Sequence, residues 1–567
     1  MGGVDAIEIA AVAVLCVLAI AAANTLAARL RVAAPLLLVG FGVAVSLLPQ
    51  VPEFHVSPEL ILVGLLPPLL YAAARAMPVM DFKRDFQAIG ALSIVLVIVS
   101  SLLLGLFFNA ILPEVDYALG VALGAILSPT DAVATGTIKR LGAPNRIVTV
   151  LSGESLFNDA SALVLLRAAI AASAASISFA GVVVNFVWSL LGAMVVGALV
   201  GWLLNRLRAR IRNPAVATAV SFTAPYVAYL PAELIGSSGL VAAVAAGLVG
   251  GRLAVRRLSA AHRLSDIQNW RMVEVILEGA VFLLMGLELY TLLEDVHDSH
   301  ETWLHALWPA AVALVMALAI RWVFVMPLVW LLDRRAQRMI AREPTLEALR
   351  EELPDDPNDD DTAGFRYRRR LDRSLADINY YRTEAMGSRE AMVVVWGGLR
   401  GAVTLAAAQT LPADTPYRSL LILVAFFVAA LSLAIQGGLM ETVLRRLKLP
   451  DQSADVRAEK MRLRGEMLGV AQQMLTDPQV TGDDPILANQ VRLVRELEVP
   501  DVDDSDSEID ALDRRLQTAR ELRRVRRMVI DEQRRTLLAL RDRGTYSSSA
   551  LTAELDKLDA EEMSLNG

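Results

Sequence analysis

About thirteen apolar segments, each long enough or nearly long enough to cross a bilayer, recur along the first 444 residues of this 567-residue chain. They lie at roughly 6–27, 33–50, 57–76, 86–112, 116–138, 147–172, 178–205, 214–231, 236–251, 272–293, 303–332, 390–411 and 418–444. Several are short or polar, as suits helices buried inside a bundle. Outside residues 333–389, charges stay sparse and mostly at segment ends up to about Lys448, and they become dense beyond Pro450. With 55% hydrophobic residues and a mean hydropathy of +0.47, an ordinary soluble protein is excluded. The pattern predicts an all-α polytopic membrane protein. A transmembrane domain covers 1–447, with a long charged cytosolic loop at 333–389 inside it, and a helical cytosolic C-terminal tail covers 448–567.

The loops alternate in charge. Arg29 and Arg31, Lys83 and Arg84, Lys139 to Arg146, Arg206 to Arg212 and Arg252 to Arg263 follow the odd-numbered segments from the first to the ninth. The intervening loops carry almost no base. This positive-inside pattern puts the N-terminus outside and the C-terminus in the cytoplasm of a cell-membrane protein. The single cysteine, Cys16, allows no disulfide framework and no cysteine-based metal site.

Polar residues inside the apolar segments are costly and mark candidate sites. The sixth segment carries Glu154-Ser155-Leu156-Phe157-Asn158-Asp159. Helical spacing puts Ser155 and Asp159 on one face and Glu154 and Asn158 on the next. Such an oxygen-lined spot suits a small hard cation or a proton. The fifth segment is interrupted at Ser128-Pro129-Thr130-Asp131, and the twelfth at Trp396-Gly397-Gly398-Leu399-Arg400-Gly401. These two segments are seven apart, so six-helix repeats joined by one linking helix would make them equivalent and inverted. Paired broken helices point to a transporter's midplane site. Their half-helix ends would be offset by Asp131 and Arg400, of opposite charge.

The stretches LLPPLLY (65–71), SPTDAVA (128–134), GESLFNDASALV (153–164), SSGLVAAVAAGL (237–248), FLLMGLEL (282–289), WGGLRGAVTLA (396–406) and LAIQGG (433–438) resemble the monovalent cation:proton antiporters of the NhaP/NHE type. The resemblance covers essentially the whole membrane region. It implies two crossed, interrupted helices, inverted six-helix repeats, a homodimer and exchange of Na⁺, Li⁺ or K⁺ for H⁺. Carried over by position, Asp159 is the cation- and proton-binding carboxylate, with Asn158 as its partner. Ser155 and Thr130 supply further oxygens for Na⁺, and Asp131 steadies the crossing. Glu154 is a buried acid paired with Arg321, a structural pair, with Arg400 at the crossing. Many relatives carry an acid just after the LLPP-type motif, but here the run is Ala72-Ala73-Ala74.

The single titratable carboxylate of the Asn158–Asp159 pair predicts electroneutral one-for-one exchange, with K⁺/H⁺ exchange on the same scaffold as the alternative. A cation channel is the alternative of a different class. An intramembrane hydrolase using Ser155 lacks an activating base in the spans, so the chain reads as a transporter and not an enzyme. No nucleotide-binding glycine loop or metal motif occurs. No cofactor is expected, and the partners are membrane lipid and a second copy, not nucleic acid. Glu278 is held open between a polar bundle contact and a transport role, whereas Glu288, near a span end, is expected to face water. Segment 353–364 reads as flexible, and Phe365 to Tyr381 as a solvated or headgroup-bound amphipathic helix. Residues 508–543 show a stripe from Ile509 to Val529. His297, Asp298, His300 and His305 read as solvated residues in or beside an outer loop.

Overall fold

The computed structural model describes residues 6–30, 33–47, 57–131, 133–174, 179–298, 302–352, 363–449, 453–476 and 508–566. All regular structure among them is helical. The chain runs α1 (Ala6–Leu30), α2 (Ala34–Ser46), α3 (Leu66–Ala76), α4 (Val79–Arg84), α5 (Phe86–Gly90), α6 (Leu96–Ile111), α7 (Tyr117–Ile126) and α8 (Val133–Arg140). It continues through α9 (Asn145–Ala174), α10 (Phe179–Arg208), α11 (Pro214–Leu234), α12 (Gly239–Arg257), α13 (Ala260–Leu287), α14 (Leu289–Asp298), α15 (Trp303–Ile340), α16 (Glu343–Glu351) and α17 (Ala363–Thr383). Then come α18 (Ser388–Trp396), α19 (Ala402–Gln409), α20 (Arg418–Ser432), α21 (Gly438–Leu447), α22 (Ser453–Thr476), α23 (Glu508–Arg543) and α24 (Ser548–Asn566). Wide π-helical turns at Leu60–Leu65, Ala91–Val95 and Leu433–Gly437 run directly into α3, α6 and α21.

Seven helices among the described residues are long and apolar enough to cross a membrane, and four shorter ones are also apolar. This is a membrane protein. The fifth and twelfth apolar segments each break into two short helices, α7/α8 and α18/α19. Proline and glycine remove the backbone bonds or side-chain packing that would carry a helix through. The tenth segment begins earlier than its hydropathy suggests. The helix α13 starts at Ala260, because Arg263 and Asp266 are turned inward and buried among polar partners.

Two compact units divide the chain: residues 1–337 with 384–450, and residues 338–383 with 451–567. Within the first, α1, α2, α3, α10, α11, α12 and α13 pack on one another as one bundle. At its middle lies α12, whose Ala- and Gly-rich sequence lets neighbouring backbones approach. A second bundle joins α6, α7, α9, α19 and α20, with α8, α18 and α21 beside them. Along α15, Trp303 and Trp308 lie exposed near one end and Trp330 near the other. Arg334 stacks over Trp330 at 4.5 Å, the placement of interfacial anchors.

In the second unit, α22, α23 and α24 pack together, and α16 packs on α17. Arg373 Nε of α17 donates to Asp542 O of α23 at 2.9 Å, and Arg350 pairs with Asp372 at 2.8 Å. Val525 and Val529 of the expected stripe are buried, with Leu463, Met467, Ile530 and Leu537. Its members from Ile509 to Leu522 have side chains outside the described residues, as have His297, Asp298 and His300. Of segment 353–364, residues 353–362 lie outside them too. Tyr546 Oη donates to Glu466 Oε1 at 2.6 Å. Burial and that carboxylate push the phenol well above its ordinary range.

The helix crossing and a candidate ion site

The two broken segments meet. Asp131 N donates to Leu399 O at 2.8 Å, so the backbone between α7 and α8 is bonded to the backbone between α18 and α19. Each break leaves helix-end carbonyls without intrahelical partners, and side chains from other helices take them. On the first break, Ser155 Oγ of α9 donates to Thr130 O at 2.9 Å. Asn158 Nδ2 donates to Ser128 O and to Thr130 Oγ1, both at 3.1 Å. On the second, Arg321 of α15 donates to Val394 O from Nε at 3.0 Å and from Nη2 at 2.8 Å. Arg400 Nη1 donates to Gly398 O at 2.8 Å, and Arg400 N to Ser432 Oγ at 2.8 Å.

Glu154 is fully buried, and Arg321 grips both of its oxygens, with Nη2 to Oε2 at 2.7 Å. Two bonds in the plane of both groups fit guanidinium to carboxylate. Room for this comes from glycine. A Cβ on Gly398 would stand 2.5 Å from Arg321 Nε, and one on Gly401 2.8 Å from the Asp131 carboxyl carbon. Two of the three glycines in the Gly-Gly-Leu-Arg-Gly run therefore seat a charged side chain.

Asp159 differs from its neighbour Glu154. It is 5% exposed, and its Oδ1 has no hydrogen-bond partner. Asn158 Oδ1 and Thr404 Oγ1 are also buried without a partner. The carboxylates of Asp131 and Glu154 act on Asp159 through their charge. Beside the crossing lies a small cavity lined by Ser100, Ser128, Asn158, Arg321 and Arg400. The crossing holds three carboxylates (Asp131, Glu154, Asp159) and two guanidiniums (Arg321, Arg400), one positive charge short of neutral.

All eight sequence-derived site residues lie at this crossing or on a helix bonded to it. Asn158 has its amide nitrogen committed to the broken loop, which leaves only its oxygen open. Glu288 corrects one expectation: it is buried, not water-facing, and accepts a hydrogen bond from Gln409 Nε2. Its place at the end of α13 folds it against α19 instead of exposing it. Glu278 is half-buried, with Asp131, Glu274 and Arg140 as its charged neighbours. Sequence reasoning passed over Ser100, whose hydroxyl is 2.9 Å from that of Ser128. It also passed over Thr404 and the Ser432–Gln436 pair that fixes Arg400 and Trp396. Thr404 and Gln436 stand inside the motif stretches, which was the available signal.

Two interrupted helices that meet inside a bundle of membrane helices are the architecture of a secondary transporter. The profile of the family described as "Sodium/hydrogen exchanger, transmembrane" matches residues 12–446. The chain belongs to the sodium/hydrogen exchanger family. It is 29% identical over 564 residues to an uncharacterized Na⁺/H⁺ exchanger of Mycobacterium bovis, covering 97% of this chain and 95% of that one. It is 32% identical over 264 residues to the sodium, potassium, lithium and rubidium/H⁺ antiporter of Bacillus subtilis, covering 45% and 39%. Among solved structures, the sodium proton antiporter MjNhaP1 from Methanocaldococcus jannaschii aligns with a TM-score of 0.55 at 16% identity, over 77% of this chain and 98% of that one. That likeness establishes the antiporter fold.

Proposed function

We propose that the chain exchanges Na⁺ or Li⁺ for H⁺ one for one across the cell membrane, with Asp159 binding either a proton or a metal ion and never both. The observation that carries this is the contrast within about a turn and a half of α9: Glu154 is locked by Arg321, whereas Asp159 is buried with an open oxygen. A buried carboxylate with no fixed donor is costly unless something neutralises it. One proton or one monovalent cation does so, and also brings the crossing to zero net charge. Loaded with either, the site crosses the dry barrier cheaply. Empty, it stays charged and the move is costly. That difference couples the two fluxes.

In this reading Ser155, Thr130 and Asn158 supply neutral oxygens around Asp159, the ligand type a hard cation takes. Their hydrogens are already donated elsewhere, to Thr130 O, Ser128 O or Thr130 Oγ1 in the case of Ser155 and Asn158, so lone pairs face the ion. Asp131 and Arg400 steady the crossing. The N-terminus lies outside, the C-terminus in the cytoplasm, and the protein works as a homodimer, as the loop charges and the resemblance imply. The test is a dequenching assay in reconstituted vesicles with Na⁺, Li⁺ and K⁺ over a pH series, with and without an ionophore. Exchange that generates a membrane potential contradicts the one-for-one reading.

K⁺ is a second cargo reading, favoured by one observation: the similar Bacillus subtilis antiporter carries potassium and rubidium in its name. The alanines at Ala72–Ala74, where many relatives hold an acid, remove one charged ligand that would favour a smaller ion.

A further inference from the structure

The seam between the two bundles is bridged by side chains at the end away from the arginine-rich loops. Glu288 stands at the C-terminal end of α13, in the first bundle, and is 6% exposed. Gln409 is the last residue of α19, in the second, and is buried as well. Gln409 Nε2 donates to Glu288 Oε1. The amide oxygen of Gln409 is buried with no partner. An ionised carboxylate can only accept, whereas a carboxylic acid also has an O–H to give. With a proton on Glu288, acid and amide close a ring of two hydrogen bonds and the orphaned oxygen is satisfied. Without it, half of the pair is unmade in a buried place.

The surroundings frame this pair tightly. Arg418 of α20 donates from Nη2 to Gln409 O at 2.8 Å and from Nε to Leu411 O at 3.0 Å, fixing the end of α19. Asp295 of α14 is the acid whose charge acts on Glu288. Neither α2 nor α19 contains a charged residue. A second bridge spans the same seam, Arg167 Nη1 of α9 to Glu233 Oε2 of α11 at 3.0 Å, but it is largely exposed and so screened by water.

We propose that Glu288 and Gln409 form a proton-operated latch between the bundles, closed when Glu288 carries a proton and loosened when it does not. The latch is mechanically placed to matter. The helix α19 starts directly after Gly401, against which the Asp131 carboxyl rests, and its eight residues span about 12 Å. Freeing the Gln409 side chain lets the end of α19, still tied to α20 through Arg418, part from α13, and the other end of that short rod is the crossing. The latch binds no transported ion and adds a dependence on pH at this face that competition at Asp159 does not supply.

The test uses the full-length chain with Cys16→Ser and Thr410→Cys, labelled with a bulky membrane-impermeant maleimide from mildly acidic to mildly alkaline pH. Each rate is divided by that of the same protein carrying Gln409→Ala, which cancels the thiolate fraction. The ratio is expected to be about fivefold below one at acidic pH, the worth of one net hydrogen bond, and to climb toward one as pH rises. With Glu288→Gln, whose amide pairs with Gln409 at any pH, the ratio is expected to stay low throughout. A pH-independent ratio in the parent, or a Glu288→Gln ratio that still climbs, overturns the latch. Thermal unfolding of each variant identifies any that fails to fold. Labelling needs no ion gradient, so the result is independent of whether Asp159 carries the exchange.

Discussion

Asp266 on α13 and Asp159 on α9 are both buried carboxylates of the membrane unit, and their surroundings are opposite. Asp266 is 0% exposed. Arg75 of α3 and Arg208 of α10 both bond its Oδ2, and Ser221 Oγ of α11 lies 3.2 Å from its Oδ1. Trp270 Nε1 donates to that same serine at 2.9 Å, and Arg208 Nε to Ala217 O at 2.9 Å. Four helices of the first bundle are thus tied through one acid. Asp159, by contrast, keeps an oxygen with no fixed donor. An acid that holds helices together has its oxygens matched by fixed donors. In the proposed function the open oxygen of Asp159 is left for a mobile ion, and the neighbouring Glu154–Arg321 pair shows that the same fold can supply a fixed cation.

That contrast is breakable by mutation. The largest expected effect is on transport: Asp159→Asn reduces exchange to the level of empty liposomes, while abundance and thermal unfolding stay near the parent's. Asp266→Asn is expected to do the reverse. Two guanidiniums lose their counter-charge, so stability falls by roughly 3–5 kcal/mol, read as lower abundance and melting temperature. Exchange per folded molecule survives. If Asp266→Asn silences exchange in a fully stable protein, the division between the two acids is wrong. Glu154→Gln and Arg321→Ala belong with Asp266. Each lowers stability, and the double variant is less harmful than the sum by about 0.5–3 kcal/mol in a double-mutant cycle. A sum that is simply additive removes the pairing as the reason for their burial. The smallest effect is expected at Ser155→Ala. Losing its bond to Thr130 O and one ion-facing lone pair costs about 1 kcal/mol, or roughly a fivefold rise in apparent KM for Na⁺. An unchanged KM takes Ser155 out of the ion shell.

The same contrast shows what a linear sequence discloses. Asp159, Asn158 and Ser155 stood out because they interrupt an apolar segment, and Pro129 and the glycines of 397–401 because they break helices at matching places. The Glu154–Arg321 partnership links residues 167 positions apart, and only the resemblance to relatives brought those two together beforehand. The Asp266 cluster stayed hidden. Arg208 reads as one more base in an arginine-rich loop, and Asp266 as part of a polar lead-in to the tenth span. In the fold these charges bury one another, which lengthens α13 to Ala260 and conceals its polar start from any hydropathy reading. Glu288 departs from its expected exposure for a related reason: a position near a span end is exposed only if no second helix end closes over it, and α19 does. The segment 338–383 belongs to the same compact unit as the tail, a long-range pairing that its charged composition gave no means of anticipating.

The central claim is that one carboxylate takes either a hydrogen ion or a metal ion. Apparent KM for Na⁺, measured in proteoliposomes as both sides are stepped together through a series of pH values, tests it most directly. Competition for a single site predicts that, on the acidic side, KM rises about tenfold for each unit fall in pH, while the maximal rate at saturating Na⁺ holds steady. A KM that ignores pH, with acid lowering only the maximal rate, contradicts the account and places the proton on a group other than the one that binds the metal.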